Sequence, residues 1–200
     1  MKRVLISFLL LFLISVSIQT KALAYSSDPE KFISEIIDEA KAILSSNSNQ
    51  EEKAKRLTEI AIKTVDVKGL AYYTLGKKRK EISPEELKKY ESLFEKYFLK
   101  SFTSRLTDYS DPKISVLSAE TVNEKYTIVK TLLLKTDKKP EVKIDWRVYT
   151  KDPNNPLIRD LIVEGLSLAR TQKEEFTSVL SSNNNDINYL FNTLEDFIKK

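Results

Sequence analysis

The sequence predicts an α+β domain, a curved four-stranded antiparallel sheet packed against helices around an elongated apolar cavity. Three observations carry this. Apolar residues recur at helical spacing from Phe32 to Leu106, at strand spacing from Ile114 to Val163, and at helical spacing again from Phe176 onward. Runs of helix, then strands, then helix build a sheet covered by helices rather than a regular βαβ alternation.

Lys2 and Arg3 precede an apolar run, and Ala22, Leu23 and Ala24 offer a small-residue cleavage pattern before Tyr25. Residues 1–24 therefore read as a cleaved signal peptide, leaving 25–200 as a single domain. The apolar run is short for a membrane span. With no Cys for a lipid anchor, the expected product is soluble, in the periplasm where an outer membrane exists.

Asp28 and Pro29 pair a cap with a first-turn proline, and Phe32, Ile33, Ile36, Ile37, Ala40, Ile43 and Leu44 form the stripe of a first helix. After a polar loop from Ser45 to Gln50, Leu57, Ile60, Ala61 and Val65 mark a second. Val67 to Leu75 suits a short buried helix ending at Gly76. The basic tetrad Lys77, Lys78, Arg79 and Lys80 follows. It reads as a solvated helix end offsetting nearby carbonyl dipoles, with contact to an anionic lipid or a partner complex as the alternative.

Ser83, Pro84 and Glu86 combine a cap, a first-turn proline and an acidic residue in capping-box position. They start the clearest helix, whose Leu87, Tyr90, Leu93, Phe94, Tyr97, Phe98, Phe102 and Leu106 form an aromatic face. Most of these residues read as core, and some as one wall of the cavity.

Strands are expected around Ile114 to Ser118, over Tyr126 to Leu134, over Val142 to Tyr149 and over Leu157 to Val163, with turns near Asn123, at Asp137 to Pro140 and at Pro153 to Pro156. In the last strand both parities are apolar. Asp160 and Glu164 have the same parity and are expected on one face, and Gly165 supplies a backbone angle or a close approach at a joint into a helix after Thr171. Asn183 to Asp186 interrupts the C-terminal helices, the last carrying Ile187, Leu190, Phe191, Leu194, Phe197 and Ile198.

Composition narrows the chemistry. The net charge of +4 falls to +1 without Lys2, Arg3 and Lys21, so no nucleic-acid partner is expected. With neither His nor Cys, triads and zinc sites built on them are excluded, and no glycine-rich phosphate loop is present. Asp160 and Glu164 are the one acid pair placed to suggest acid-base work, and hydrogen bonding at the joint is the plainer reading. We expect no enzyme activity, cofactor or metal.

The run from Asp160 to Leu168, followed by Lys173, Glu174, Glu175 and Phe176, resembles the C-terminal signature of the periplasmic phospholipid-binding component of the bacterial lipid-asymmetry ABC transport system, also called the toluene-tolerance auxiliary family. The resemblance extends through Trp146 and Arg147, Val67 to Ala71, Leu75 and Gly76, and the long helix after Pro84. It implies a carried phospholipid, with an inner-membrane ABC complex and an outer-membrane lipoprotein or its complex as partners.

On that reading Leu75, Phe94, Phe98, Val116, Val129, Leu133, Ile144, Trp146, Leu161 and Val163 are the cavity candidates. Lys77, Lys78, Arg79, Lys80, Arg159 and Arg170 are candidates for headgroup or partner contact, and Asp160, Glu164 and Gly165 form the structural joint. The alternative is a periplasmic adaptor or chaperone binding protein through an aromatic groove.

Overall fold

The computed structural model describes residues 24–107, 111–136 and 140–200. The expected signal peptide, apart from Ala24, and most of the Asp137 to Pro140 turn lie outside the described residues. Helices α1 (Pro29–Leu44), α2 (Gln50–Thr64), α3 (Val67–Leu75) and α4 (Pro84–Leu106) come first, with a 3-10 turn at Gly76–Lys80. Strands β1 (Ile114–Asn123), β2 (Tyr126–Leu133), β3 (Val142–Tyr149), β4 (Leu157–Val163) and β5 (Leu166–Ser167) follow, then α5 (Leu168–Ser181) and α6 (Ile187–Lys199).

Helix starts follow their caps. Asp28 accepts from the Lys31 amide, and Ser83 and Glu86 form the reciprocal capping box of α4. Between α5 and α6, Asn184 and Asn185 both take positive φ, a conformation asparagine enters more readily than other non-glycine residues. Asp186 then caps α6.

The sheet is an antiparallel meander in the order β1-β2-β3-β4-β5. It has five strands, not the four expected. The extra strand is two residues long and follows β4 through Glu164 and Gly165, with φ of 50° and 82°. Positive φ at both central residues is the type I′ hairpin pattern, matched to the twist of the strands it joins. A glycine is needed here for the backbone angle, since a Cβ on Gly165 would meet nothing within 4 Å. The helix that follows begins at Leu168, capped by Ser167, rather than after Thr171.

Register explains the two apolar parities of β4. Trp146 pairs with Leu161, but Val148 pairs with Ile158, so a bulge between them shifts the strand by one residue. Ile158, Leu161 and Val163 thereby share a face. Helix α1 packs against β1 and β2, while α3 and α5 pack against β4. The core gathers Phe32, Ile33, Leu57, Tyr90, Val129, Val148 and Leu190 into one cluster.

Candidate functional site

Directly paired residues of an antiparallel sheet lie on the same face. Val116 pairs with Thr131, Thr131 with Ile144, and Ile144 with Val163. Val129 pairs with Trp146 and Trp146 with Leu161, while Leu133 pairs with Ile114 and Val142. All the cavity candidates on strands therefore occupy one face. Val129 is buried on it, and Val116, Leu133, Ile144, Trp146, Leu161 and Val163 are half-buried.

Trp146 shows how that face stays apolar. Its indole Nε1 donates to Thr131 Oγ1 at 3.0 Å, and the Thr131 hydroxyl donates to the Ile144 carbonyl at 2.9 Å. The polar atoms are satisfied within the sheet, so the indole ring is free to offer carbon.

The helical candidates divide. Leu75 and Phe94 are buried and Phe98 is half-buried. Phe94 meets Phe176 of α5 edge to face at 6.3 Å, and Tyr90 and Tyr97 meet the same ring at 6.4 and 5.8 Å. Tyr97 also meets Phe197 at 4.8 Å and donates its hydroxyl to Gln172 at 2.7 Å. The Tyr90 hydroxyl shares a hydrogen bond with Thr74 at 2.8 Å, and burial pushes its pKa above the usual phenol range. Beyond this filled region the stack continues through Phe98 and Phe102, 5.9 Å apart. Phe98, Phe102, Val116, Trp146 and Leu161 all pack half-buried against the edge of the core.

The joint is held by Asp160, 4% exposed. It accepts from the Ser167 hydroxyl at 2.6 Å and the Ala169 amide at 3.0 Å, with the Arg147 guanidinium 3.7 Å away. Asp160 thus ties β4 to the start of α5. Glu164 is not beside it on a strand face, as its parity suggested. The hairpin takes it into the exposed turn, where its carboxylate accepts from the Lys143 amide.

Arg159 is engaged inside the fold. Its Nε donates to Asp66 Oδ2 at 2.6 Å, its Nη1 to the Tyr126 hydroxyl at 3.1 Å, and the guanidinium lies 3.5 Å from the Tyr149 ring centroid. Burial works against its charge, but the bonds to Tyr126 and Asp66 outweigh it and raise its pKa. Asp66 in turn caps α3 through the Gly69 amide at 2.8 Å. A Cβ on Gly69 would stand 2.3 Å from Asp66 Oδ2, which accounts for glycine there.

Of the basic tetrad, Lys78 turns to Glu81 at 3.5 Å and Arg79 Nη1 donates to the Tyr72 carbonyl at 2.9 Å, as a helix-end cation does. Lys77, Arg79 and Lys80 line a surface groove of about 220 Å³. Arg170 lines an adjoining groove of about 610 Å³ along α5, and Tyr73 and Lys173 belong to both. Neither groove includes a cavity candidate. Lys173, which the sequence places in the family resemblance but not among the contact candidates, is locally one cation among many on a helix surface.

The arrangement defines an α+β domain with one continuous apolar sheet face that is only partly covered. The sequence profile of the family described as MlaC protein matches residues 31–196, and the chain belongs to that family. The structure of the phospholipid-binding protein from Ralstonia solanacearum in complex with a phospholipid is similar, with TM-score 0.71 and 17% identity, covering 84% of this chain and 94% of that one. It shares this fold. No curated protein matches. Among the described residues no helix is long and apolar enough to cross a membrane, and no three or more Asp or Glu side chains cluster so as to hold a metal ion.

Proposed function

We propose that this chain carries phospholipid through the periplasm between outer-membrane and inner-membrane ABC transporter complexes, after removal of residues 1–24. The single observation that carries the reading is the shared face of Val116, Leu133, Ile144, Trp146, Leu161 and Val163, apolar yet left half-open. With Phe98 beside the same core edge, these side chains would line the acyl-tail cavity, and Val129, Phe94 and Leu75 would back it. Family membership and the phospholipid held by the Ralstonia protein support the same ligand class.

The energetics suit a carrier. Each methylene taken from water gains about 0.8 kcal/mol. A bilayer offers the same gain, so transfer exchanges one apolar environment for another and needs no deep well in the protein. An aromatic groove for protein clients has less support, because α4 spends much of its aromatic face on Phe176 and Phe197 of its own chain. Binding and release involve no covalent step, so neither a catalytic group nor a cofactor is required.

Native mass spectrometry of the mature protein purified without detergent, with extraction of bound lipid, tests the proposal. Near-stoichiometric phospholipid is expected. A lipid-free protein that also takes none from vesicles would overturn it and favour the adaptor.

A further inference from the structure

We propose that the joined grooves along α3, the 3-10 turn and α5 form a docking site for an extended acidic segment of a partner protein. This deepens the carrier reading, on which it rests for the existence of a partner: of the two roles the sequence left open for Lys77, Arg79, Lys80 and Arg170, it assigns partner contact, and it adds Tyr73 and Lys173 to the same surface.

Charge is the first argument. Lys77, Arg79, Lys80, Arg170 and Lys173 line the two grooves against the single acid Glu174. Among the described residues, Lys77, Lys80, Arg170 and Lys173 have no carboxylate within salt-bridge distance, whereas neighbouring Lys78 is satisfied by Glu81. The groove presents cations whose counter-charge the described residues do not supply, and an acidic partner would supply it.

Construction is the second. Gly76 has φ of 60°, and a Cβ there would come within 3.3 Å of Lys173 Cε. The glycine therefore serves both the turn and the passage of the Lys173 stem across it, which brings the ammonium to 5.0 Å from the Tyr73 ring centroid. Arg79 is pinned to the Tyr72 carbonyl. Two of the cations are thus held before a partner arrives, which lowers the ordering cost of binding. Tyr73, common to both grooves, remains 42% exposed, and Tyr and Arg are the residue types that anchor protein interfaces.

The spread of charge selects the occupant. Cations distributed over two adjoining shallow grooves exceed what one phosphate engages, whereas an extended acidic segment can meet them in turn. At the other end Thr177 and Ser181, whose hydroxyls donate to the Lys173 and Ser178 carbonyls, offer neutral acceptor oxygens beside Glu174. The acidic residues would therefore lie toward Lys77, Arg170 and Lys173 and the neutral ones along the C-terminal half of α5.

The test uses a random peptide library displayed on phage, selected on the mature protein, with amide-shift mapping of the selected peptides on labelled wild type. Enrichment of Asp and Glu is expected, with shifts confined to residues 73–80 and 168–181 and affinity that falls with salt. The pair Lys77→Glu and Lys173→Glu should weaken binding about tenfold or more. A matched pair on exposed surface elsewhere, Lys55→Glu and Lys96→Glu, should not. Peptides without acidic bias, shifts elsewhere, or equal weakening in both pairs would overturn the proposal. So would preferential binding of phosphatidylglycerol vesicles through these residues, which would assign the groove to headgroups. Lipid content of each variant, measured in parallel, separates this result from the fate of the carrier reading.

Discussion

The contact between α4 and α5 and the far end of the sheet are both written in apolar residues, yet the first is closed and the second is not. Around Phe176 the rings of Tyr90, Phe94 and Tyr97, all from one face of α4, close over the buried ring. At the sheet end Leu133, Ile144 and Val163 lie on the core-facing side but remain half-buried. Apolar character alone does not separate core from ligand surface. What separates them is whether the chain supplies its own covering side chain.

The largest effect should come from opening the closed region. Phe94→Ala removes a buried ring with three aromatic neighbours besides Tyr90, and should cost about 3–5 kcal/mol in urea unfolding. Phe98→Ala, one helical turn on and half-buried, should cost less than half as much. Equal losses would mean that the two positions are equally core and would erase the distinction.

Next is the tie between the regions. Asp160→Ala removes the acceptor for Ser167 and Ala169, and should lower stability by about 2–3 kcal/mol. If Asp160 serves only to hold the joint, bound lipid per folded molecule should be unchanged. Gly165→Val forces a β-branched residue to φ of 82° and should cost about 1–2 kcal/mol. Gly165→Asn should cost less, because asparagine tolerates positive φ. Similar losses in both variants would argue against backbone angle as the reason for glycine.

The legible parts were those written in local periodicity. The alternation of Val142, Ile144, Trp146 and Val148 placed β3, and Ser83 with Glu86 placed the start of α4. β5 escaped because two residues carry no period, and its Ser167 serves at once as strand end and helix cap. The bulge in β4 reassigned its faces, which parity alone cannot anticipate. The bond between Arg159 and Asp66 spans 93 positions, so nothing near either residue announces it. Alternation sets the candidates of one strand on one side of that strand, but their shared face across strands depends on the register of the pairing and their openness on what lies above them, and only the three-dimensional packing supplies both.

The smallest expected change in stability bears most on function. Leu133→Gln combined with Ile144→Gln places amides at half-buried positions where the side chain can reach water. The pair should shift unfolding free energy by only about 1 kcal/mol, since large losses belong to cavities and unsatisfied buried groups. A tail lying against these residues has no such escape, because the amides would be buried beneath it without partners. Recovered phospholipid should therefore fall sharply while the thermal transition barely moves. A large loss of stability would return both residues to the core, and undiminished lipid in a stable variant would place the tails elsewhere. The contrast between the two regions rests on that dissociation of ligand from stability, which substitution at Phe94 should not produce.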